Sequence, residues 1–267
     1  MLLRPLLLAL MALTLPAAAQ ESRLVTLETG QDSRGWEAVG RLDISGKGFC
    51  TAALIEDNLI LTAAHCVYDY DNSLLTADRF TFQAGLRNGR AEATRGVTRF
   101  VAHPDYLADG PTARVDGIAM DIAVLELDRP IRHSRVQPFP VAAEPQQGDQ
   151  VGVVSYGQGR EDLPSLQEVC SVLGQNSGAI IMTCDIERGS SGSPVFAVRD
   201  GRAQIVSVIS AMAAVEGEKV SVGTSLGQPL RELRAHFATI GPARIGGTQR
   251  IILNGERNDT GAKFVQP

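Results

Sequence analysis

Three short segments hold the residue types that proton transfer and nucleophilic attack require. In Leu61-Thr62-Ala63-Ala64-His65-Cys66, an imidazole ends a strand-like run among small neighbours. An imidazole changes charge near neutral pH and so suits general acid–base work. In Asp121-Ile122-Ala123-Val124-Leu125-Glu126-Leu127, an acid comes directly before a run that should be buried, which puts it at a strand entrance. A buried acid there can hold one histidine tautomer and stabilise the imidazolium that forms during reaction. In Gly189-Ser190-Ser191-Gly192-Ser193-Pro194, two glycines flank serines. Glycine reaches backbone conformations closed to other residues, so such a turn can aim the N–H groups of Gly189 and Ser191 at one developing oxyanion. The serine hydroxyl becomes a useful nucleophile once a neighbouring base takes its proton. Taken singly, each segment also has a plainer explanation: a satisfied core histidine, a solvated turn carboxylate, a flexible Gly/Ser turn. His103, His133 and His236 lie in less constrained surroundings and read as surface residues.

The elements that must position these groups are mostly strands. Phe49–Ile55 and Leu59–Thr62 flank the turn residues Glu56-Asp57-Asn58 and predict a hairpin. Further strands are expected at Phe80–Ala84, Thr94–Val101, Ile122–Leu127, Gln150–Tyr156, Leu166–Val172, Ala179–Cys184, Pro194–Val198, Gln204–Ser210 and Lys219–Thr224. Many short strands without alternating helices indicate antiparallel barrels or a sandwich, an all-β fold. Residues 129–145 carry Pro130, Pro138, Pro140 and Pro145 and read as a linker between two halves. Leu230, Leu233 and Phe237 recur at helical spacing, which predicts a C-terminal helix over 228–237. The stretch 241–267 is a polar tail apart from Ile251-Ile252-Leu253.

Of the 267 residues, 44% are hydrophobic and 21% charged, an ordinary globular balance that excludes disorder, collagen and coiled coil for the whole chain. A formal charge of −5 argues against nucleic acid as a partner. Residues 1–20 combine an early cation (Arg4), an apolar run from Leu6 to Leu15 and the small residues Ala17-Ala18-Ala19. These are the parts of a secretory signal peptide, with cleavage near Ala19 or Gln20 and a secreted or periplasmic destination. Beyond that run, nothing approaches the length of apolar sequence a membrane span needs, so none is expected in the mature chain. In an oxidising compartment the four cysteines imply disulfides, for which three pairings exist. The local choice pairs Cys50 with Cys66 and Cys170 with Cys184. Each then closes a loop of about 15 residues, worth about 3 kcal/mol by chain entropy. No C-x-x-C, H-E-x-x-H, P-loop or G-x-G-x-x-G in a βα setting occurs, so neither metal nor cofactor is expected.

Taken together and in this order, T-A-A-H-C, D-I-A-V-L-E-L and G-S-S-G-S-P resemble the trypsin/chymotrypsin-like serine peptidases. The chain is most similar to the bacterial glutamyl-endopeptidase-like (V8-like) branch, whose serine motif often reads G-x-S-G-S-P. The resemblance runs from about Gly40 to Phe237 and includes Cys50–Ile55 and Ser155-Tyr156-Gly157. It implies two six-stranded antiparallel β-barrels with an active site between them and a C-terminal helix. The domain would span 40–240, with a first barrel over about 40–128 and a second over about 146–226; residues 21–39 would be an extension or short propeptide. By the same resemblance His65 is the general base, Asp121 its orienter and Ser191 the nucleophile, with Gly189 and Ser191 supplying the oxyanion hole. The implied partners are polypeptide substrates, cut by a monomer.

The sequence also departs from the pattern. Ser190 stands where trypsin carries the aspartate that receives its freed N-terminal amine, and no activation site of trypsin type precedes Gly40. The trypsin mode of activation should therefore be absent. Asp185, six residues before Ser191, has the spacing of trypsin's pocket-floor aspartate, and a carboxylate there favours a cation. Acids after this cysteine are, however, frequent in the glutamyl-endopeptidase-like branch without conferring basic specificity. Ile209 stands where a glutamate preference needs histidine, which disfavours acid specificity. Ser210 to Met212 would line the substrate-binding edge, with Met212 in place of a trypsin glycine, narrowing the pocket toward small side chains. Two other classes remain for comparison. A catalytically silent binding protein on the same scaffold would normally lack a triad member, and none is missing here. A high-temperature-requirement-type peptidase would carry a trailing peptide-binding domain, for which the residues after 237 leave little room.

Overall fold

The structure is a computed structural model that describes residues 21–108 and 115–241. The expected signal peptide (1–20) and residues 242–267 of the tail lie outside the described residues.

Two β systems stand side by side. The first is built from β2 to β7, which follow the two-residue β1 (Val25–Thr26): β2 (Val39–Ile44), β3 (Gly48–Glu56), β4 (Leu59–Thr62), β5 (Phe80–Ala84), β6 (Ala93–Ala102) and β7 (Ala123–Leu127). These six close into an antiparallel barrel in the order β2-β3-β4-β7-β6-β5. Period-two alternation explains the closure, since Leu42 and Ile44 on β2 and Phe80 and Phe82 on β5 all point inward and are buried. A short helix α1 (Val115–Ile118) leads into β7.

The second system holds β8 (Gln150–Gly157), β9 (Arg160–Asn176), β10 (Ala179–Met182), β11 (Pro194–Arg199), β12 (Arg202–Val215) and β13 (Glu218–Ser225). Its order is β1-β9-β10-β13-β12-β11-β8, and an added β8–β9 pairing returns six of the strands into a ring. The seventh strand is β1, where Val25 pairs with Leu166 and Thr26 with Ser165. Residues 21–39, read as an extension, thus contribute a strand to the second system and buried Leu27 and Ala38 to the core.

Residues 129–145 lie between the systems and bond to both. Phe139 N–H donates to Leu54 O on β3 at 2.9 Å, and Ile205 N–H on β12 donates to Pro140 O at 2.9 Å. Phe139 also stacks on Trp36 and on Phe196 of β11, with centroids 6.1 and 4.6 Å away, giving one aromatic cluster shared by segments distant in sequence. The last element among the described residues is helix α2 (Gly227–Thr239), which crosses back to the first barrel. Leu230 and Leu233 are buried, and the Arg99 guanidinium of β6 lies 3.8 Å from the Phe237 ring centroid.

The second half of β12 departs from the expected strand. It runs five residues past Ser210 as one arm of a hairpin with β13, so that Met212 and Val215 are exposed beyond the core.

Candidate active site

Strand β4 delivers His65 on a tight 3-10 turn, Ala64–Val67. The Cys50–Cys66 disulfide ties that turn to β3, and the second bridge joins Cys170 to Cys184. Lys47 adds a further tether, its ammonium donating to His65 O at 3.1 Å and to Tyr68 O. Burial holds the Lys47 pKa below the usual lysine value, against an upward pull from Asp69.

Asp121 is 3% exposed and sits just before β7. Its Oδ1 accepts from His65 N–H at 2.8 Å, and its Oδ2 lies 2.7 Å from His65 Nδ1. Ser210 Oγ–H donates to the same Oδ2 from the opposite β system. A carboxylate can only accept, so Nδ1 carries the ring hydrogen and Nε2 keeps a lone pair able to take a proton.

The Ser191 turn comes from the second system but is packed onto the first. Gly189 and Gly192 have φ of +93° and +78°, a region in which other residues are strained. A Cβ at Gly189 would overlap the Phe49 ring, and one at Gly192 would overlap Thr62 Oγ1 and Thr51 O. Thr51 of β3 bonds the turn twice, from N–H to Ser191 O at 2.8 Å and from Oγ1–H to Gly189 O at 3.1 Å. Gly192 N–H and Ser193 O engage the backbone of Ile209 at 2.8 and 2.9 Å. Among the described residues, the N–H groups of Gly189 and Ser191 have no acceptor in the chain, and so remain available to a ligand.

Inside the turn, Ser190 is fully buried. Its hydroxyl donates to Tyr156 O at 3.3 Å and accepts from Glu187 N–H at 3.2 Å. It also accepts from Arg160 Nη2 at 3.3 Å, while the same guanidinium nitrogen donates to Ser155 Oγ at 2.9 Å. Burial lowers the Arg160 pKa, and the carboxylates of Glu187, Asp185 and Glu161 pull it the other way.

His65 and Ser191 border one cleft of about 360 Å³, together with Ile186, Glu187, Arg188, Ile209, Ser210, Ala211 and Met212. Among the described residues no hydrogen bond yet joins His65 to Ser191; such contacts are often long before substrate binds.

The substrate-edge candidates fall in three places. Met212 borders the cleft and is 46% exposed. Ser210 borders it too, but its hydroxyl serves Asp121. Asp185 is not among the lining residues; its carboxylate lies 2.9 Å from Lys219 Nζ, and both side chains are about half exposed. His103 is not the surface residue its sequence context suggested. It is 1% exposed beneath α2, with Nε2 3.4 Å from Glu232.

Among the described residues, two groups of potential metal ligands cluster. Cys50 and Cys66 beside His65 are joined as a disulfide and offer no thiolate. In the second group, His103, Asp105 and Glu232, Asp105 N–H donates to His103 Nδ1 at 3.2 Å. That bond puts the ring hydrogen on Nε2, which lies near Glu232 but makes no hydrogen bond among the described residues.

Sequence reasoning missed Arg160 and Thr51. No local signal marks either, since they act on a turn roughly thirty and more than a hundred residues away.

Comparison with known proteins gives a consistent result. The family model described as Trypsin matches residues 28–226. Coagulation factor IX of Oryctolagus cuniculus is 28% identical over 116 residues, 42% of this chain and 39% of that protein. Mast cell protease 3 of Ovis aries is 33% identical over 125 residues, 46% and 45% of the two chains. Mannan-binding lectin serine protease 1 of Homo sapiens is 30% identical over 139 residues, 47% and 19%. The chain thus spans less than half the length of each of these relatives. A solved structure described as "Structure of Glu endopeptidase in complex with MPD" superimposes with a TM-score of 0.66 at 19% identity, over 80% of this chain and 97% of that one. At that identity the likeness speaks for the fold.

Proposed function

The chain belongs to the trypsin family, and from that premise we propose that it is a secreted or periplasmic serine endopeptidase. Polypeptides are its substrates, and it works as a monomer without a cofactor. Ser191 Oγ attacks the scissile carbonyl while His65 Nε2 takes its proton; Asp121 holds the ring and stabilises the imidazolium. The N–H groups of Gly189 and Ser191 bind the oxyanion of the tetrahedral intermediate. His65 then gives the proton to the departing amine, which leaves an ester between Ser191 and the acyl half of the substrate. Water, deprotonated by the same imidazole, releases the acid and restores the serine.

The observation that carries this reading is the His65–Asp121 pair, 2.7 Å across, with His65 bordering the same cleft as Ser191, whose turn offers two N–H groups without an acceptor among the described residues. The test is hydrolysis of casein and fluorogenic peptides by residues 21–267 and by its Ser191→Ala variant. Loss of about 10⁴–10⁶-fold in kcat with unchanged thermal unfolding is expected. Near-normal turnover by the variant would refute the assignment.

The two disulfides accord with export to an oxidising compartment.

A further inference from the structure

The first described residues lie far along the chain from the nucleophile turn, yet one buried side chain joins the two regions. Gln167 of β9 is 4% exposed, and both ends of its amide are used. Its Nε2 donates to Ser22 O at 2.9 Å, and its Oε1 accepts from Asp185 N–H at 2.6 Å. Only one orientation of the amide does both, because its C=O must face an N–H and its NH2 must face a carbonyl.

The segment it holds leads into the cleft. Residues 183–187 follow β10 without regular secondary structure, so separate contacts fix them in place of a strand ladder. Thr183 N–H donates to Ser171 O at 3.0 Å, Cys184 is bridged to Cys170, and Asp185 N–H ends on Gln167. The next residues, Ile186, Glu187 and Arg188, border the cleft with Ser191. The N-terminal segment is anchored beside the same point. Ser22 N–H donates to Val169 O at 3.0 Å, Val169 N–H donates to Ser22 Oγ at 2.8 Å, and the Thr183 hydroxyl donates to the Glu21 carboxylate. The turn around Ser190 has its own supports in Arg160, Tyr156 and Thr51. Gln167 thus bears on the wall of the cleft more than on the nucleophile.

Resting on the peptidase reading above, we propose that Gln167 is a positioning residue that couples the N-terminal segment to the cleft wall, so that the seating of Glu21 and Ser22 on β9 sets how tightly a peptide substrate is held. Asp185 serves this coupling through its backbone N–H, while its carboxylate faces Lys219. Without the amide, Asp185 N–H and Ser22 O lose their shared partner, and residues 185–187 are released to shift.

The test compares residues 21–267 with Gln167→Met, Ser22→Pro and the double variant. Methionine keeps the length of the side chain but removes its donor and acceptor. Proline removes the N–H and hydroxyl that seat Ser22 on β9. Hydrolysis of a fluorogenic peptide gives KM and kcat, a fluorophosphonate with no peptide portion gives the reactivity of Ser191, and thermal unfolding checks the fold. In Gln167→Met, KM should rise by about five- to tenfold, with kcat and Ser191 labelling within about twofold of the parent. Ser22→Pro should raise KM in the same direction. The double variant should lose no more than Gln167→Met alone, since both changes break one connection. A parent-like KM in Gln167→Met, or losses that add in the double variant, would overturn the inference and leave the peptidase reading standing. So would labelling that falls in step with hydrolysis, which puts the effect on the nucleophile turn. If Gln167→Met does not fold, Ser22→Pro decides alone, and an unchanged KM overturns the coupling. A parent chain that neither cuts peptide nor labels at Ser191 overturns both readings.

Discussion

The two sides of the cleft are built on different plans. The side proposed to hold the base is assembled mainly within one barrel, with Ser210 of the second system as a further donor to Asp121. His65 and Asp121 lie on adjacent strand ends of β4 and β7, and two hydrogen bonds of 2.8 and 2.7 Å join them directly. The nucleophile side is a turn that owes its shape to distant parts of the chain. Thr51 of the first barrel holds it from outside, and Arg160, Tyr156 and Glu187 hold Ser190 from within. The His65–Asp121 pair therefore rests on its own barrel and on one hydroxyl from the other system. The nucleophile turn depends instead on contacts spread over more than a hundred residues of sequence, so it should be the side that substitutions far from the cleft disturb.

The largest expected effect probes the base side. Asp121→Asn keeps the shape but lets the side-chain amide donate, which favours the wrong histidine tautomer. We expect kcat to fall by about 10⁴-fold while thermal unfolding shifts little. A small loss would mean that Asp121 is a structural acceptor for the His65 N–H and no more.

A smaller effect should distinguish the two sides. Arg160→Ala removes the donor to Ser190 and Ser155, and kcat should drop by about 10–100-fold, the range for a displaced oxyanion donor or less. The His65 ring-proton signal in NMR should stay where it is in the parent, and Arg160→Lys should restore part of the rate. If the histidine signal moves with the rate, the two sides are coupled and the contrast drawn above fails.

The smallest catalytic effect is expected from replacing Cys170 and Cys184 with serine. Opening that loop should cost about 3 kcal/mol of stability, read by denaturant unfolding, with kcat little changed below the melting transition. The same change at Cys50 and Cys66 should cost comparable stability but lower kcat as well, because Cys66 follows His65 in its turn.

What could be read from the chain beforehand follows the same division. The β3–β4 hairpin is visible because its apolar runs and its Glu56-Asp57-Asn58 turn lie within one short window. The segments gathered at the cleft carry short motifs of their own, and both disulfides close local loops. Strand β1 is invisible for the opposite reason, since two residues become a strand only through their partner Leu166–Ser165 on β9. In β2, Leu42-Asp43-Ile44 does alternate, but Gly40 and Arg41 interrupt the pattern at the strand's start. Asp185 shows the limit most clearly. Its spacing from Ser191 suggests a pocket floor, yet Lys219, which neutralises it, is a neighbour only in three dimensions. Spacing along the chain reports which groups are present; which charges remain unpaired depends on the fold.

One measurement tests the central claim most directly, that an imidazole of the first barrel activates a hydroxyl of the second. The mature chain is treated with a fluorophosphonate and the adduct is located by peptide mass spectrometry, with His65→Ala run alongside. The account predicts a single adduct, on Ser191, formed at least 10³-fold more slowly in the variant. An adduct on Ser190 or Ser193, or equal rates with and without the His65 imidazole, would contradict it.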